Sequence, residues 1–245
     1  MIQFITHATA RYGIVEGAVM ALQGGCRWIQ LRMKDVSDYE VMEKAKILLP
    51  LCHEHRAKLI IDDRVELCKA VGADGIHLGR HDMPIKEARA FLGEKYIIGG
   101  TANTIEDIRR IVREGGNYIG CGPYRFTYTK KNLSPVLGLE GYRYLINIMK
   151  EERLFLPLVA IGGITEEDIV SLMQAGVNGF ALSSTILNAE NPMEQMKKLI
   201  TIITQYEKQH EDYLPFVGEN IPTGEHLSRT SSGNAKDTAY PDGQS

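Results

Sequence analysis

The sequence predicts an α/β protein, a single-domain (β/α)8 TIM barrel, on three observations. Eight short apolar runs rich in β-branched residues recur along the first 210 residues, with helix-like segments between them. One helix-to-strand phrase that ends in glycine occurs four times. No Ser/Gly linker or charge block divides this stretch, so a single domain is the simplest reading.

The runs, in chain order, are Gln3-Phe4-Ile5, Trp28-Ile29-Gln30-Leu31, Leu59-Ile60-Ile61, Gly75-Ile76-His77-Leu78, Tyr96-Ile97-Ile98, Asn117-Tyr118-Ile119-Gly120, Leu158-Val159-Ala160-Ile161 and Gly179-Phe180-Ala181-Leu182. Near-continuous apolar character is what strands buried on both faces require. Helical stripes lie between them at Ile14-Val15-Ala18-Leu22, Ile105-Ile108-Ile111-Val112 and Ile169-Leu172-Met173. Thr104 and Thr165 each precede an acidic first turn, as N-caps do where they oppose the helix dipole. The recurring phrases end at Gly24-Gly25, Gly72, Gly115-Gly116 and Gly176. Eight such units close a barrel. An open doubly wound sheet is disfavoured because no G-x-G-x-x-G follows the first strand.

Composition narrows the function. With a net charge of −3 over 245 residues, the chain offers no polycation for nucleic acid. The longest apolar stretch, Leu154 to Ile161, is broken by Pro157 and too short to cross a bilayer. The amino terminus lacks the features of a signal peptide. Four cysteines without C-x-x-C pairing suit a reducing cytoplasm. Residues 211–245 carry six acidic and two basic side chains and no periodicity, so a disordered tail is expected there, leaving residues 1–210 as the catalytic domain. A homo-oligomer is left open.

A barrel places chemistry at the carboxyl ends of its strands. The second strand leads into Gln30-Leu31-Arg32-Met33-Lys34, whose alternation puts Gln30, Arg32 and Lys34 on one face, so an anion is their natural partner. The third ends in Asp62-Asp63-Arg64 and the fourth runs on to Asp82. Carboxylates on adjacent strands beside a diphosphate suit Mg2+, although Asp63 could instead cap the next helix. His53, His55, His77 and His81 invite a zinc reading, but no fourth ligand is evident and the first three lie within a helix or a strand. The fifth strand leads to Thr101. The sixth is followed by the longest connection, with Thr127, Thr129, Lys130 and Lys131, where hydroxyls and ammonium groups again suit an anion. Gly162-Gly163 and Ser183-Ser184 follow strands seven and eight, where barrels often bind a monophosphate. Two phosphorylated substrates, one a diphosphate, would meet between these sites.

These motifs, in this order, resemble the thiamine phosphate synthase family over about residues 2–205. Gln30-Leu31-Arg32-Met33-Lys34 is similar to Q-L-R-x-K, Ala73-Asp74-Gly75-Ile76-His77-Leu78-Gly79 to A-D-G-V-H-L-G, Gly122-Pro123 with Thr127-x-Thr129-Lys130 to G-P-x-x-x-T-x-T-K, and Ala160-Ile161-Gly162-Gly163-Ile164 to A-I-G-G-I. The chain departs from the pattern at Asp62 (Asn in the family), Thr101 (Ser) and Arg80-His81 (Gln-Glu). Asp62 would repel a diphosphate unless it engages a metal or Arg64.

The resemblance implies a transferase. An aminopyrimidine methyl diphosphate loses pyrophosphate, and the ring nitrogen of a thiazole phosphate attacks the methylene to give thiamine phosphate. It implies Mg2+ on Asp63 and Asp82, and charge neutralisation by Arg32, Lys34 and Lys130. Gln30, Asp62 and Thr101 lie where the pyrimidine diphosphate binds. Thr127, Thr129, Gly163, Ser183 and Ser184 would hold the thiazole phosphate, with Val159 against its ring. The alternatives are a thiazole tautomerase of related fold, which needs no diphosphate apparatus, and a non-catalytic thiamine-phosphate-binding paralogue.

Overall fold

The computed structural model describes residues 1–126 and 135–210. Eight parallel strands close into a barrel in chain order. They are β1 (Ile2–Ile5), β2 (Trp28–Leu31), β3 (Lys58–Asp62), β4 (Gly75–Leu78), β5 (Ile97–Ala102), β6 (Tyr118–Cys121), β7 (Leu158–Ile161) and β8 (Gly179–Leu182). Closure comes from β1 pairing with β8, Ile2 opposite Phe180 and Phe4 opposite Leu182. The helices are α1 (Ile14–Gln23), α2 (Asp38–Glu54), α3 (Val65–Val71), α4 (Ile85–Leu92), α5 (Ile105–Arg113), α6 (Gly138–Glu151), α7 (Ile169–Ala175), α8 (Ser184–Leu187) and α9 (Pro192–Gln209). Among the described residues no helix is long and apolar enough to cross a membrane. The four cysteines are free and buried.

The expected caps are in place. Thr104 accepts from the Asp107 N–H in a capping box at α5, and Thr165 heads a 3-10 turn, Glu166–Asp168, that runs into α7. Gly72 and Gly176 end α3 and α7 in the left-handed conformation. At α5 the helix stops at Glu114, one residue before the expected glycine.

Both strand faces are buried, but in different company. Outward residues such as Phe4, Ile29, Leu59, Ile61, Ile76 and Ile98 join the layer beneath the helices. Inward residues Ile5, Trp28, Ile60, Ile97, Tyr118, Val159 and Ala181 form a separate cluster inside the barrel, a packed interior rather than a pore. The fifth strand is longer than the sequence reading allowed, running through Gly99-Gly100 to Ala102. Glycine there is a packing solution: a Cβ on Gly99 would lie 2.0 Å from Cζ of Tyr118, so the missing side chain seats that ring. Nearer the carboxyl ends the inward positions turn polar, with Gln30, Asp62 and His77 all buried.

Candidate active site

One cavity of about 140 Å³ opens at the carboxyl end of the barrel. That is roughly ten times the space one water needs, in the position where this architecture places its chemistry. It brings together residues that are far apart in sequence. Gln30, Arg32, His77 and Thr101 line one side, and Gly162, Gly163, Ser183 and Ser184 the other.

The charged side is built from the ends of β2 and β3. Asp62 accepts from Gln30 Nε2 at 2.8 Å. It also lies 3.3 Å from the Lys34 ammonium and 3.7 Å from Arg32 Nε. A carboxylate only accepts, so this contact turns the Gln30 amide nitrogen toward Asp62. Lys34 also pairs with Asp63. Of the two partners anticipated for Asp62, Arg64 is not one. Arg64 donates to Asp38 and to the carbonyls of Met33 and Val36, bracing the β2 loop. Nor is Asp63 a helix cap. The N-cap of α3 is Arg64, and Asp63 sits at φ 64°, a conformation that Asp tolerates better than most residues. Its carboxylate is left at the mouth, and its N–H donates to the His77 carbonyl.

Asp82 closes the loop after β4 by accepting from the Gly79 N–H at 2.6 Å. Asp63 and Asp82 therefore stand at the ends of neighbouring strands, each with a second carboxylate oxygen not used in these contacts. Two carboxylates beside a diphosphate are a donor set that fits Mg2+. Among the described residues no three His, Cys, Asp or Glu side chains cluster as metal ligands.

Among the described residues, the opposite side carries no charged side chain in its lining. Gly162 and Gly163 adopt positive φ. The Ser183 hydroxyl is buried with no hydrogen-bond partner among the described residues, an unmet cost that a bound acceptor or donor would remove.

Two arginine clamps tie neighbouring rim loops together. Arg80, after β4, donates to Asp107 at 2.6 Å, and Asp107 also accepts from the N–H groups of Asn103 and Thr104. Arg125, after β6, binds both oxygens of Asp168 at 2.7 and 2.8 Å and donates to the Gly163 carbonyl at 2.7 Å. Burial alone would raise the Asp168 carboxyl, but Arg125 and the Thr165 N–H and hydroxyl outweigh it, holding the group below the usual carboxylate range. Asp107 behaves the same way, its burial outweighed by the two N–H donors and Arg80.

Of the residues read from sequence, Gln30, Arg32, Thr101, Gly163, Ser183 and Ser184 line the cavity, and Lys34, Asp62, Asp63 and Asp82 sit at the ends of β2 to β4. Val159 is the exception. It is wholly buried in the interior cluster with Trp28 and Tyr118, and the cavity is lined instead by Ile161, the next inward residue of β7. Thr127, Thr129, Lys130 and the tail from 211 lie outside the described residues. Sequence reasoning missed Gln3, Thr6, Asn103 and Arg125. Gln3 could have been found as a polar residue at an inward position of a buried strand.

Comparison with known proteins agrees with this geometry. The chain matches the profile of a family described as thiamine monophosphate synthase over residues 2–186. It is 57% identical over 201 residues to a thiamine-phosphate synthase of Bacteroides thetaiotaomicron, covering 82% of this chain and 96% of that one. It is 56% identical to that of Phocaeicola vulgatus, covering 82% and 97%. Among solved structures it resembles a thiamine phosphate pyrophosphorylase from Pyrococcus furiosus, with a TM-score of 0.73, 33% identity and coverage of 84% and 96%. A closed barrel with a half-charged, half-neutral mouth, matched along its length by such relatives, leaves one assignment: the chain belongs to the thiamine monophosphate synthase family.

Proposed function

We propose that the chain acts as a thiamine-phosphate synthase, joining an aminopyrimidine methyl diphosphate to a thiazole phosphate and releasing pyrophosphate. The observation that carries this is a cavity with charged groups on one side and, among the described residues, an uncharged, glycine- and serine-lined pocket on the other. A leaving diphosphate needs compensating charge that grows as the bond breaks. A phosphate that is only held in place needs shape and donors.

Arg32 and Lys34 face the departing diphosphate, with Lys130 arriving from the loop after β6. Their positive charge stabilises the leaving group more as the carbon–oxygen bond lengthens. Before substrate binds, Asp62 and Asp63 occupy Lys34, so the diphosphate exchanges one set of oxygens for another. Gln30 and Thr101 orient the pyrimidine or its diphosphate. Gly163, Ser183 and Ser184, with Thr127 and Thr129, hold the thiazole phosphate so that its nitrogen faces the methylene. That nitrogen attacks with a lone pair and has no proton to lose, so no general base is required. Asp63 and Asp82 would hold Mg2+, which would supply further charge neutralisation at the diphosphate. Cytoplasmic location belongs to the same reading, supported by four cysteines without C-x-x-C spacing.

The test is direct. Full-length protein is mixed with both substrates and Mg2+, and thiamine phosphate and pyrophosphate are measured with and without chelator. Stoichiometric products that disappear on chelation are expected. A folded protein that binds thiazole phosphate and yields neither product would instead be a tautomerase or a binding protein.

A further inference from the structure

Beneath the cavity a chain of hydrogen bonds, whose members other than Thr101 the proposed mechanism does not use, leads up to Thr101. Gln3 Nε2 donates to the Tyr118 hydroxyl at 3.2 Å. That hydroxyl lies 2.9 Å from His77 Nδ1, and His77 Nε2 lies 2.9 Å from Thr101 Oγ1. Gln3, His77 and Thr101 all reach the cavity, whereas Tyr118 is wholly buried below it. The rings are held firmly. Trp28 packs edge-on against Tyr118 with centroids 4.7 Å apart. A Cβ on Gly120 would come within 2.8 Å of His77 Cε1, so this position too leaves room for a ring.

The direction of the chain follows from donor counting. Burial pushes the Tyr118 phenol well above its ordinary value, so it keeps its proton. With Gln3 donating to its oxygen, that proton goes to His77 Nδ1. The imidazole then carries its hydrogen on Nε2 and donates to Thr101. The Thr101 oxygen is thereby supplied with a hydrogen, and its own is left to point into the cavity.

We propose that Tyr118 and His77 are positioning residues that fix Thr101 as a hydrogen-bond donor toward an acceptor oxygen of the diphosphate substrate. Neither touches the reacting atoms; both act through the Thr101 hydroxyl. The substrate in this statement rests on the function proposed above, but the tautomer does not.

The experiment has two arms. In full-length protein with 15N-labelled histidine, long-range 1H–15N correlation reads the His77 tautomer without substrates, the signal being assigned by its loss in His77→Gln. A neutral ring protonated on Nε2 is expected. Protonation on Nδ1 would mean that the chain runs the other way, with Thr101 donating downward, and would overturn the proposal whether or not the protein turns over. In the second arm, Tyr118→Phe lowers kcat/KM for the pyrimidine diphosphate about 5- to 10-fold, the value of one hydrogen bond. In a Thr101→Val background the same change costs less than about 2-fold. An equal loss in both backgrounds would show that Tyr118 does not act through Thr101. Should Tyr118→Phe fail to fold, His77→Gln and His77→Met decide. Gln restores a donor toward Thr101 and keeps most of the activity that Met loses, and equal losses would sink the idea.

Discussion

The two halves of the barrel mouth differ in charge, and under the proposed function they would bind anions in opposite ways. Between β2 and β4 the rim is crowded with charge: Arg32 and Lys34 face Asp62 and Asp63 at 3.3 to 3.7 Å or closer. Across the cavity, β7 and β8 offer backbone, two serines and two glycines. The crowded half is balanced internally, so under the proposed function a diphosphate would displace carboxylates, and the released cations would follow the charge as it develops. In the proposed reaction the other half would hold a phosphate that does not change charge, where donors from a rigid backbone suffice. The difference separates binding that must increase in the transition state from binding that must not.

The largest effect is expected on the charged half. Lys130→Ala should lower kcat about 100- to 1000-fold, the scale of removing one group that stabilises developing charge, with the melting temperature nearly unchanged. Turnover and thermal melts on the same sample check both. On the neutral half, Ser183→Ala should raise KM for thiazole phosphate by about tenfold while leaving kcat close to wild type. The free protein should be no less stable, because a buried hydroxyl without a partner among the described residues is removed. A fall in kcat instead would mean that this half also contributes to the chemical step.

The clamp between the β6 loop and the turn ahead of α7 is probed by Asp168→Asn, expected to cost about 1–3 kcal/mol of stability through lost charge-assisted hydrogen bonds. Its pH dependence has a definite sign. The folded-state carboxyl of Asp168 lies below its ordinary value, so its stabilising contribution is present above the unfolded pKa and fades as pH falls through the folded one. Urea melts from neutral to acidic pH should show the gap between wild type and variant closing on acidification. The smallest effect belongs to Asp62→Asn. Relieving one carboxylate from Arg32 and Lys34 should leave activity equal or raise it a few-fold, read as a lower KM for the pyrimidine diphosphate at low ionic strength. Complete inactivation would mark Asp62 as a required ligand.

Much of this was legible from local signals. The strand runs, the glycine phrases and the threonine caps each report on a few consecutive residues. Period-two alternation carried Gln30, Arg32 and Lys34 to one face. What escaped depends on neighbours distant in sequence. Val159 reads like any strand residue, and only barrel packing places it among Trp28 and Tyr118 rather than at the cavity wall, where Ile161 stands. Gly99-Gly100 looks like a strand end because the ring filling the gap at Gly99 comes from β6. Arg125 gives no local hint that its partner lies 43 residues away.

The paired arginine struts make the rim loops dependent on one another. The β4 loop is fastened to the start of α5 through Arg80 and Asp107, and the β6 loop to the turn ahead of α7 through Arg125 and Asp168. A loop transplanted from a relative therefore cannot be treated as a detachable cassette. It must bring an arginine that meets the resident aspartate, or the recipient keeps a sheltered anion whose counter-charge has been left behind with the donor.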